Sequence, residues 1–165
     1  MTVEVRRLEP DDDRSGFRSG NPALDRFFAL YAGQNQFRHH IGTTYVAVDE
    51  DHILGFATVA ASELPAAALP AALRKRLPRY PLPALRLARL AVDERARGSG
   101  VGTLLFRSVV GLAQHLAETV GCVGLIVDSK PEAVAFYETL GFIRCDVLAG
   151  ELGDRPEPVP MFFEL

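Results

Sequence analysis

A glycine-rich segment is the first stretch of this sequence that could do chemistry. Gly98, Gly100 and Gly102 follow Arg97 at alternate positions, after an apolar run with strand character and before an apolar pattern with helical spacing. Backbone N–H groups at a helix start are unpaired and carry partial positive charge, and glycine lets an anion approach the backbone closely. The segment therefore predicts a binding site for a phosphate group.

The spacing of the glycines separates the cofactor classes that use such a loop. A P-loop needs Gly-Lys-Ser/Thr, which is absent. A dinucleotide fingerprint that starts at Gly98 would place Thr103 where a small residue is needed, and the expected acidic residue about 20 positions later is missing. What remains is Arg97-x-x-Gly100-x-Gly102.

A second candidate is a tyrosine in the segment Ala133–Phe142, which has helical spacing and a glycine stop at Gly141. The hydroxyl of Tyr137 can donate a proton. Periodicity alone favours a packing role for Tyr137 on an amphipathic helix, so this pattern leaves both interpretations open.

A basic stripe is the third feature. The chain has a net charge of −3, yet the segment from Arg74 to Arg97 holds eight basic residues against two acidic ones. A local excess of positive charge on an acidic protein indicates an anionic partner, with a solvated surface as the alternative. The eight are Arg74, Lys75, Arg76, Arg79, Arg86, Arg89, Arg95 and Arg97.

Alternating strand and helix patterns predict a mixed α+β domain that positions these residues. A strand–helix–strand unit in the middle of the chain implies a parallel crossover, and flanking hairpins imply antiparallel neighbours. The predicted strands are Thr2–Leu8, Thr43–Val48, Ile53–Ala60, Leu85–Val92, Val123–Val127, Phe142–Leu148 and Pro160–Leu165. The predicted helices run from Pro22 to about Phe37, over Val101–Leu116 and over Pro131–Leu140, and residues 62–84 are irregular.

Composition sets the remaining bounds. The 165 residues suit one domain, residues 1–165, and no apolar stretch is long enough for a membrane span. No secretory leader is recognisable, so a cytoplasmic protein is expected. The only cysteines, Cys122 and Cys145, form no framework, and neither they nor His39-His40 have metal-ligand spacing, so no metal is expected.

Together, the loop Arg97-x-x-Gly100-x-Gly102 and the segment Ala133–Phe142 resemble the GCN5-related N-acetyltransferase (GNAT) family. The resemblance implies a central mixed, mostly antiparallel twisted sheet with one splayed parallel strand pair, flanked by helices, and acetyl-CoA as the donor. The implied cofactor-binding residues are Leu90, Ala91, Val92, Arg97, Gly98, Ser99, Gly100, Val101, Gly102 and Thr103.

The same resemblance implies that Tyr137 is the general acid that protonates the departing coenzyme A thiolate. No carboxylate stands out as a general base; Glu63 is the nearest candidate. A strong base is dispensable, because an α-amine with a pKa near ~7.7–8.0 is partly neutral at physiological pH.

A narrower resemblance comes from Ser19–Phe27, Gln34-Asn35, Leu77–Pro83 and Arg89–Asp93. These segments are similar to the acetyltransferase toxins of type II toxin–antitoxin systems. The implied substrate is aminoacyl-tRNA, the implied partner a ribbon-helix-helix antitoxin, and the implied assembly a homodimer. The candidate tRNA-binding residues are Asn35, Arg74, Lys75, Arg76, Arg79, Arg86 and Arg89.

Two other functions remain open from the sequence. One is acetylation of a small amine such as an antibiotic, a polyamine or an amino acid, although the basic stripe suits a cationic substrate poorly. The other is a non-catalytic acyl-CoA-binding module, which Tyr137 beside an intact loop motif disfavours.

Overall fold

The computed structural model describes residues 2–145 and 158–165. Within them lie seven strands and four α-helices. The strands are β1 (Glu4–Arg7), β2 (Thr43–Asp49), β3 (His52–Leu64), β4 (Leu82–Val92), β5 (Gly124–Ser129), β6 (Ile143–Arg144) and β7 (Val159–Glu164). The helices are α1 (Pro22–Leu30), α2 (Ala71–Arg74), α3 (Val101–Thr119) and α4 (Val134–Leu140), with a π-helix at Gln34–His39.

The strands form one sheet in the order β1-β2-β3-β4-β5-β7-β6. β4 and β5 are parallel, with Leu85 opposite Leu125 and Arg86 opposite Ile126. The pairs β1–β2, β2–β3, β5–β7 and β6–β7 are antiparallel. The prediction of a mixed, mostly antiparallel sheet with a parallel pair is thereby confirmed.

The chain divides into two compact units, Met1–Ala60 with Leu87–Gly111 and Ala61–Arg86 with Leu112–Leu165. The core of the first contains Phe17, Phe28 and Phe56, and the rings of Phe28 and Phe56 stack with centroids 4.3 Å apart. One core cluster of the second unit is mostly aliphatic. It includes Leu69, Leu73, Leu82, Ile126 and Phe162.

The helix predicted from Pro22 to about Phe37 is the clearest difference in secondary structure. α1 ends at Leu30, and a π-helix follows at Gln34–His39. The buried Gln36 explains the wider turn, because its side-chain amide donates to the carbonyl of Leu8 at 3.1 Å and accepts from the N–H of Thr44 at 2.8 Å. A solvent-facing residue of a regular helix could not make both hydrogen bonds.

Strand boundaries also shift. β3 extends to Leu64 and β4 begins at Leu82, so two strands enter the region predicted to be irregular. Pro83 is tolerated in β4 because its carbonyl still accepts the N–H of Val123 at 2.9 Å. The predicted strand Phe142–Leu148 lies partly outside the described residues. None of the described helices is long and apolar enough to cross a membrane.

Candidate active site

The phosphate-loop candidate begins at a fixed point in the first unit, the buried carboxylate of Asp93. That carboxylate accepts from the N–H of Arg18 at 3.1 Å and from both the N–H and the guanidinium of Arg95 at 2.9 and 3.0 Å. Burial alone would raise the pKa of Asp93, but the hydrogen bonds from Arg95 and Arg18 outweigh it and hold the pKa below its usual value. The end of β4 is therefore held in one geometry.

The loop itself has a backbone that only glycine adopts without strain. Gly98 and Gly100 have φ of +75° and +86°, and a Cβ at either position would meet nothing within 4 Å. The first hydrogen bond of α3 runs from the N–H of Leu104 to the carbonyl of Gly100 at 3.0 Å. The N–H groups of residues 101–103 precede it and have no acceptor within the helix. Open space beside free donors fits a pyrophosphate group.

Close packing holds the other end of the loop. Val101 is buried, and a Cβ on Gly55 of β3 would come within 2.9 Å of its side chain and of the Ala91 carbonyl. Ala91 belongs to the core, while Leu90 and Val92 on either side of it are half-buried. The alternation of a strand accounts for this difference and leaves two of the three predicted residues off the core face.

Three other predicted residues of the first unit make contacts within the protein. Arg97 donates from Nη2 to the carbonyl of Ser19 at 2.5 Å, and the Ser99 hydroxyl donates to the carbonyl of Ala96. The guanidinium carbon of Arg89 lies 3.7 Å from the ring centroid of Phe27, and burial lowers its pKa. Arg89 is thus held against α1 by a cation–π contact.

Asn35 occupies the π-helix and is half-buried. Its carbonyl accepts the N–H of Ile41 at 3.1 Å, whereas its side chain makes no hydrogen bond to any described residue. A capping role for the side chain is not seen, so the amide is available to a ligand.

Tyr137 lies on α4 in the second unit, with only 8% of its surface exposed. Its ring makes edge contacts with Phe136 and Phe142 at centroid distances of 5.4 and 5.3 Å. The hydroxyl makes no hydrogen bond to a described residue. Every fully buried side-chain oxygen among the described residues has a hydrogen-bond partner, so the Tyr137 oxygen is in contact with solvent. Burial raises the pKa of Tyr137 to about 12, which keeps the hydroxyl protonated at neutral pH.

The residues of the basic stripe that lie in the second unit fall into two groups, those that line a cavity and those in ion pairs. Arg74, Lys75 and Arg79 line a cavity of about 410 Å³ together with three alanines, Ala66, Ala67 and Ala71. The other two residues of the stripe in this unit are in ion pairs. Arg76 pairs with Glu164 at 3.1 Å, and Arg86 pairs with Asp128 at 2.6 Å.

The weaker candidates have ordinary structural positions. The thiol of Cys122 donates to the carbonyl of Gly124, Cys145 belongs to the core of the second unit, and Glu63 is exposed on β3. Within residues 2–145 and 158–165, no three His, Cys, Asp or Glu side chains come together as a metal site.

Two partners were missed by the sequence interpretation. Asp128, which neutralises Arg86, carries no sequence signal for this role beyond its place at the end of a buried strand. The turn Ser19-Gly20, which receives Arg97, did carry a signal. That signal is the glycine itself, because glycine is the residue that adopts a positive φ without strain.

Comparison with known proteins gives concordant results. Residues 40–144 match the family model described as an acetyltransferase (GNAT) domain. A tRNA-acetylating toxin of Mycobacterium tuberculosis (strain ATCC 25618 / H37Rv) is 31% identical over 138 residues, which cover 83% of this chain and 82% of the toxin.

Two solved structures are similar over almost the whole chain. AtaT complexed with acetyl-methionyl-tRNAfMet has a TM-score of 0.84 at 28% identity, with 99% of this chain and 95% of that chain covered. A mutant AtaT toxin bound to the C-terminus of the antitoxin AtaR and acetyl-CoA has a TM-score of 0.76 at 25% identity, with 98% and 92% covered. With its sheet topology, glycine loop and matching family model, this chain belongs to the GNAT acetyltransferase family.

Proposed function

We propose that this protein is an acetyl-CoA-dependent N-acetyltransferase that acetylates the amino group of aminoacyl-tRNA and so acts as a toxin that blocks translation. The positive charge of Arg74, Lys75 and Arg79 on the cavity lining favours tRNA as the acceptor, because the phosphates of a tRNA are attracted to cationic side chains. The similar tRNA-acetylating toxin and the tRNA complex of AtaT support it.

The loop residues bind the donor in this proposal. The N–H groups of residues 101–103 and the positive end of α3 hold the pyrophosphate of acetyl-CoA, and Gly98 and Gly100 keep the approach open. The backbone at Leu90 and Val92 aligns the pantetheine arm. These residues orient the thioester and take no part in bond breaking.

Tyr137 supplies the proton that the reaction needs. The neutral amine attacks the thioester carbonyl, an N–C bond forms, and the C–S bond breaks. The Tyr137 hydroxyl donates its proton to the leaving sulfur, water removes the surplus proton from the nitrogen, and the phenolate recovers a proton from solvent. Its pKa of about 12 ensures that the donor is protonated before each cycle.

The partners follow from the same proposal. An antitoxin of the ribbon-helix-helix type would hold the toxin inactive, as supported by the AtaT structure with bound antitoxin. The protein would act as a homodimer in the cytoplasm, where aminoacyl-tRNA is found.

A paired charge reversal tests the acceptor. Lys75→Glu/Arg79→Glu changes two cavity cations, and Arg7→Glu/Arg107→Glu makes the same change in net charge at exposed sites elsewhere. We expect the cavity variant to bind aminoacyl-tRNA at least tenfold more weakly and to flatten the logarithmic salt dependence by about two units. Its affinity for acetyl-CoA should equal that of wild type.

The outcomes separate the acceptors. Wild-type protein that acetylates free amines but not aminoacyl-tRNA would show a small-molecule acetyltransferase. Equal tRNA labelling by the cavity variant and wild type would show that the cavity does not bind tRNA.

A further inference from the structure

Arg97, the first residue of the loop motif, is directed away from the loop and toward a turn that precedes α1. We propose that Arg97 is a positioning residue that fixes the phosphate loop by clasping the Ser19-Gly20 turn, and that Gly20 is part of the acetyl-CoA site for this reason. This inference rests on the proposed function only for the identity of the ligand.

The loop needs an anchor because its own residues provide little packing. Gly98 and Gly100 have no side chain, and the space beside both is open. Val101 holds the C-terminal end through its buried contact in the first unit. The N-terminal end is held by Arg97, whose Nη2 is 2.5 Å from the Ser19 carbonyl. A charge-assisted hydrogen bond of this kind is among the stronger polar contacts in proteins.

Gly20 is shaped to receive the guanidinium. Its φ is +89°, and a Cβ at this position would lie 2.5 Å from Arg97 Nη2 and 3.1 Å from Glu94 Oε1. The positive φ strains any other residue at this position, and its Cβ would contact the guanidinium of Arg97. A larger residue would push Arg97 away from its acceptor.

The turn that receives Arg97 is itself rigid. Both the N–H and the hydroxyl of Ser19 donate to the carboxylate of Asp25, at 2.9 and 2.6 Å. Asn21 then caps α1 by accepting the N–H groups of Ala23 and Leu24. The Ser19 carbonyl is thus a fixed acceptor, and the hydrogen bond from Arg97 to it holds the start of the loop in a fixed position relative to this turn.

A second link joins the same two segments. The N–H of Glu94 donates to the carbonyl of Arg18 at 2.8 Å, and the N–H of Arg18 donates to Asp93. These bonds fix the start of the segment, while Arg97 fixes its end. Without Arg97, residues 97–100 would keep no side-chain hydrogen bond to the Ser19-Gly20 turn among the described contacts.

A double-mutant cycle tests the clasp with acetyl-CoA as the probe. Gly20→Ala, Arg97→Ala and the double variant are titrated by calorimetry at low and high salt. Gly16→Ala is the matched control, because a Cβ there meets nothing within 4 Å and its φ is not positive. We expect each single variant to bind acetyl-CoA about tenfold or more weakly, and the double variant to be no weaker than either.

Salt dependence and kinetics distinguish an Arg97 that positions the loop from an Arg97 that contacts the phosphates of acetyl-CoA directly. A positioning role leaves the salt slope of acetyl-CoA binding as in wild type and raises the KM for acetyl-CoA while kcat at saturation is retained. Arg97→Lys keeps the charge on a shorter side chain that does not extend to the position of Nη2, so it should not rescue binding. If Gly20→Ala fails to fold, Arg97→Lys still tests the positioning role.

Several results would overturn the inference. Additive losses in the cycle, a flatter salt slope for Arg97→Ala, or full rescue by Arg97→Lys would each assign Arg97 to direct phosphate contact. A wild-type protein that binds no acetyl-CoA would refute the proposed function as well, whereas wild-type binding with additive losses refutes the clasp alone.

Discussion

Replacing Tyr137 by phenylalanine isolates one hydroxyl group. The ring contacts with Phe136 and Phe142 are kept, and the hydroxyl makes no hydrogen bond to a described residue. Its removal should therefore change the free energy of unfolding by no more than about 0.5 kcal/mol. A loss of activity in this variant cannot then be attributed to unfolding.

The expected catalytic loss is that of a general acid, a fall in kcat of ~10²–10⁴-fold. Because the pKa of Tyr137 is about 12, deprotonation of this hydroxyl should not lower the wild-type kcat below about pH 10. The raised pKa also sets the sign of a stability effect. An unfolded tyrosine titrates near pH 10, so wild-type stability should fall as pH rises from about 10 toward 12, and Tyr137→Phe should lack this part of the fall.

The assay is single-turnover acetyl transfer at saturating acetyl-CoA, with thermal denaturation of the same samples. Tyr80→Phe removes a hydroxyl from a residue that is 63% exposed and serves as the control. A Tyr137→Phe enzyme with kcat within threefold of wild type would refute the acid role and leave Tyr137 as a packing residue.

Three further predictions concern the loop, its anchor and an ion pair. Gly100→Val forces a β-branched residue to φ of +86° and fills the cradle, so calorimetry should detect no acetyl-CoA binding while circular dichroism shows a folded protein. Asp93→Asn leaves the Arg95 and Arg18 donors without a carboxylate, so urea unfolding should show a loss of about 1.5–3 kcal/mol at pH 7. Because the folded pKa of Asp93 is lowered, this loss should shrink as pH falls below about 4 through that pKa. Arg86→Ala breaks an exposed pair with Asp128, so urea unfolding should show a loss of about 1 kcal/mol or less, and filter binding an unchanged salt slope for tRNA.

Local patterns were sufficient to predict the sheet and the main helices. Alternation and helical spacing located β1, β2, α3 and α4, and the glycine stop at Gly141 marks the end of α4. The π-helix could not be predicted, because it depends on the hydrogen bond that Gln36 donates to Leu8 and the one that it accepts from Thr44, both outside the helix. The early start of β4 likewise depends on a distant contact, because the carbonyl of Pro83 accepts a hydrogen bond from the N–H of Val123.

Candidate site residues can be singled out from the sequence where the chemistry depends on short spacing. The loop glycines and Tyr137 are local motifs, and the structure gives the loop its positive φ values and Tyr137 its burial. Charge partners were not predictable, since each joins residues far apart in sequence. Arg86 has its partner 42 residues away in Asp128, and Arg97 has its partner 78 residues away in Ser19.

The most direct test of the account is acetyl transfer by the purified wild-type protein. Aminoacyl-tRNA and uncharged tRNA are incubated with radiolabelled acetyl-CoA, and the label is located after mild alkaline release of the amino acid. The account predicts label as an N-acetyl amino acid from charged tRNA and none from uncharged tRNA. Label on free amines alone, or none on charged tRNA, would contradict it.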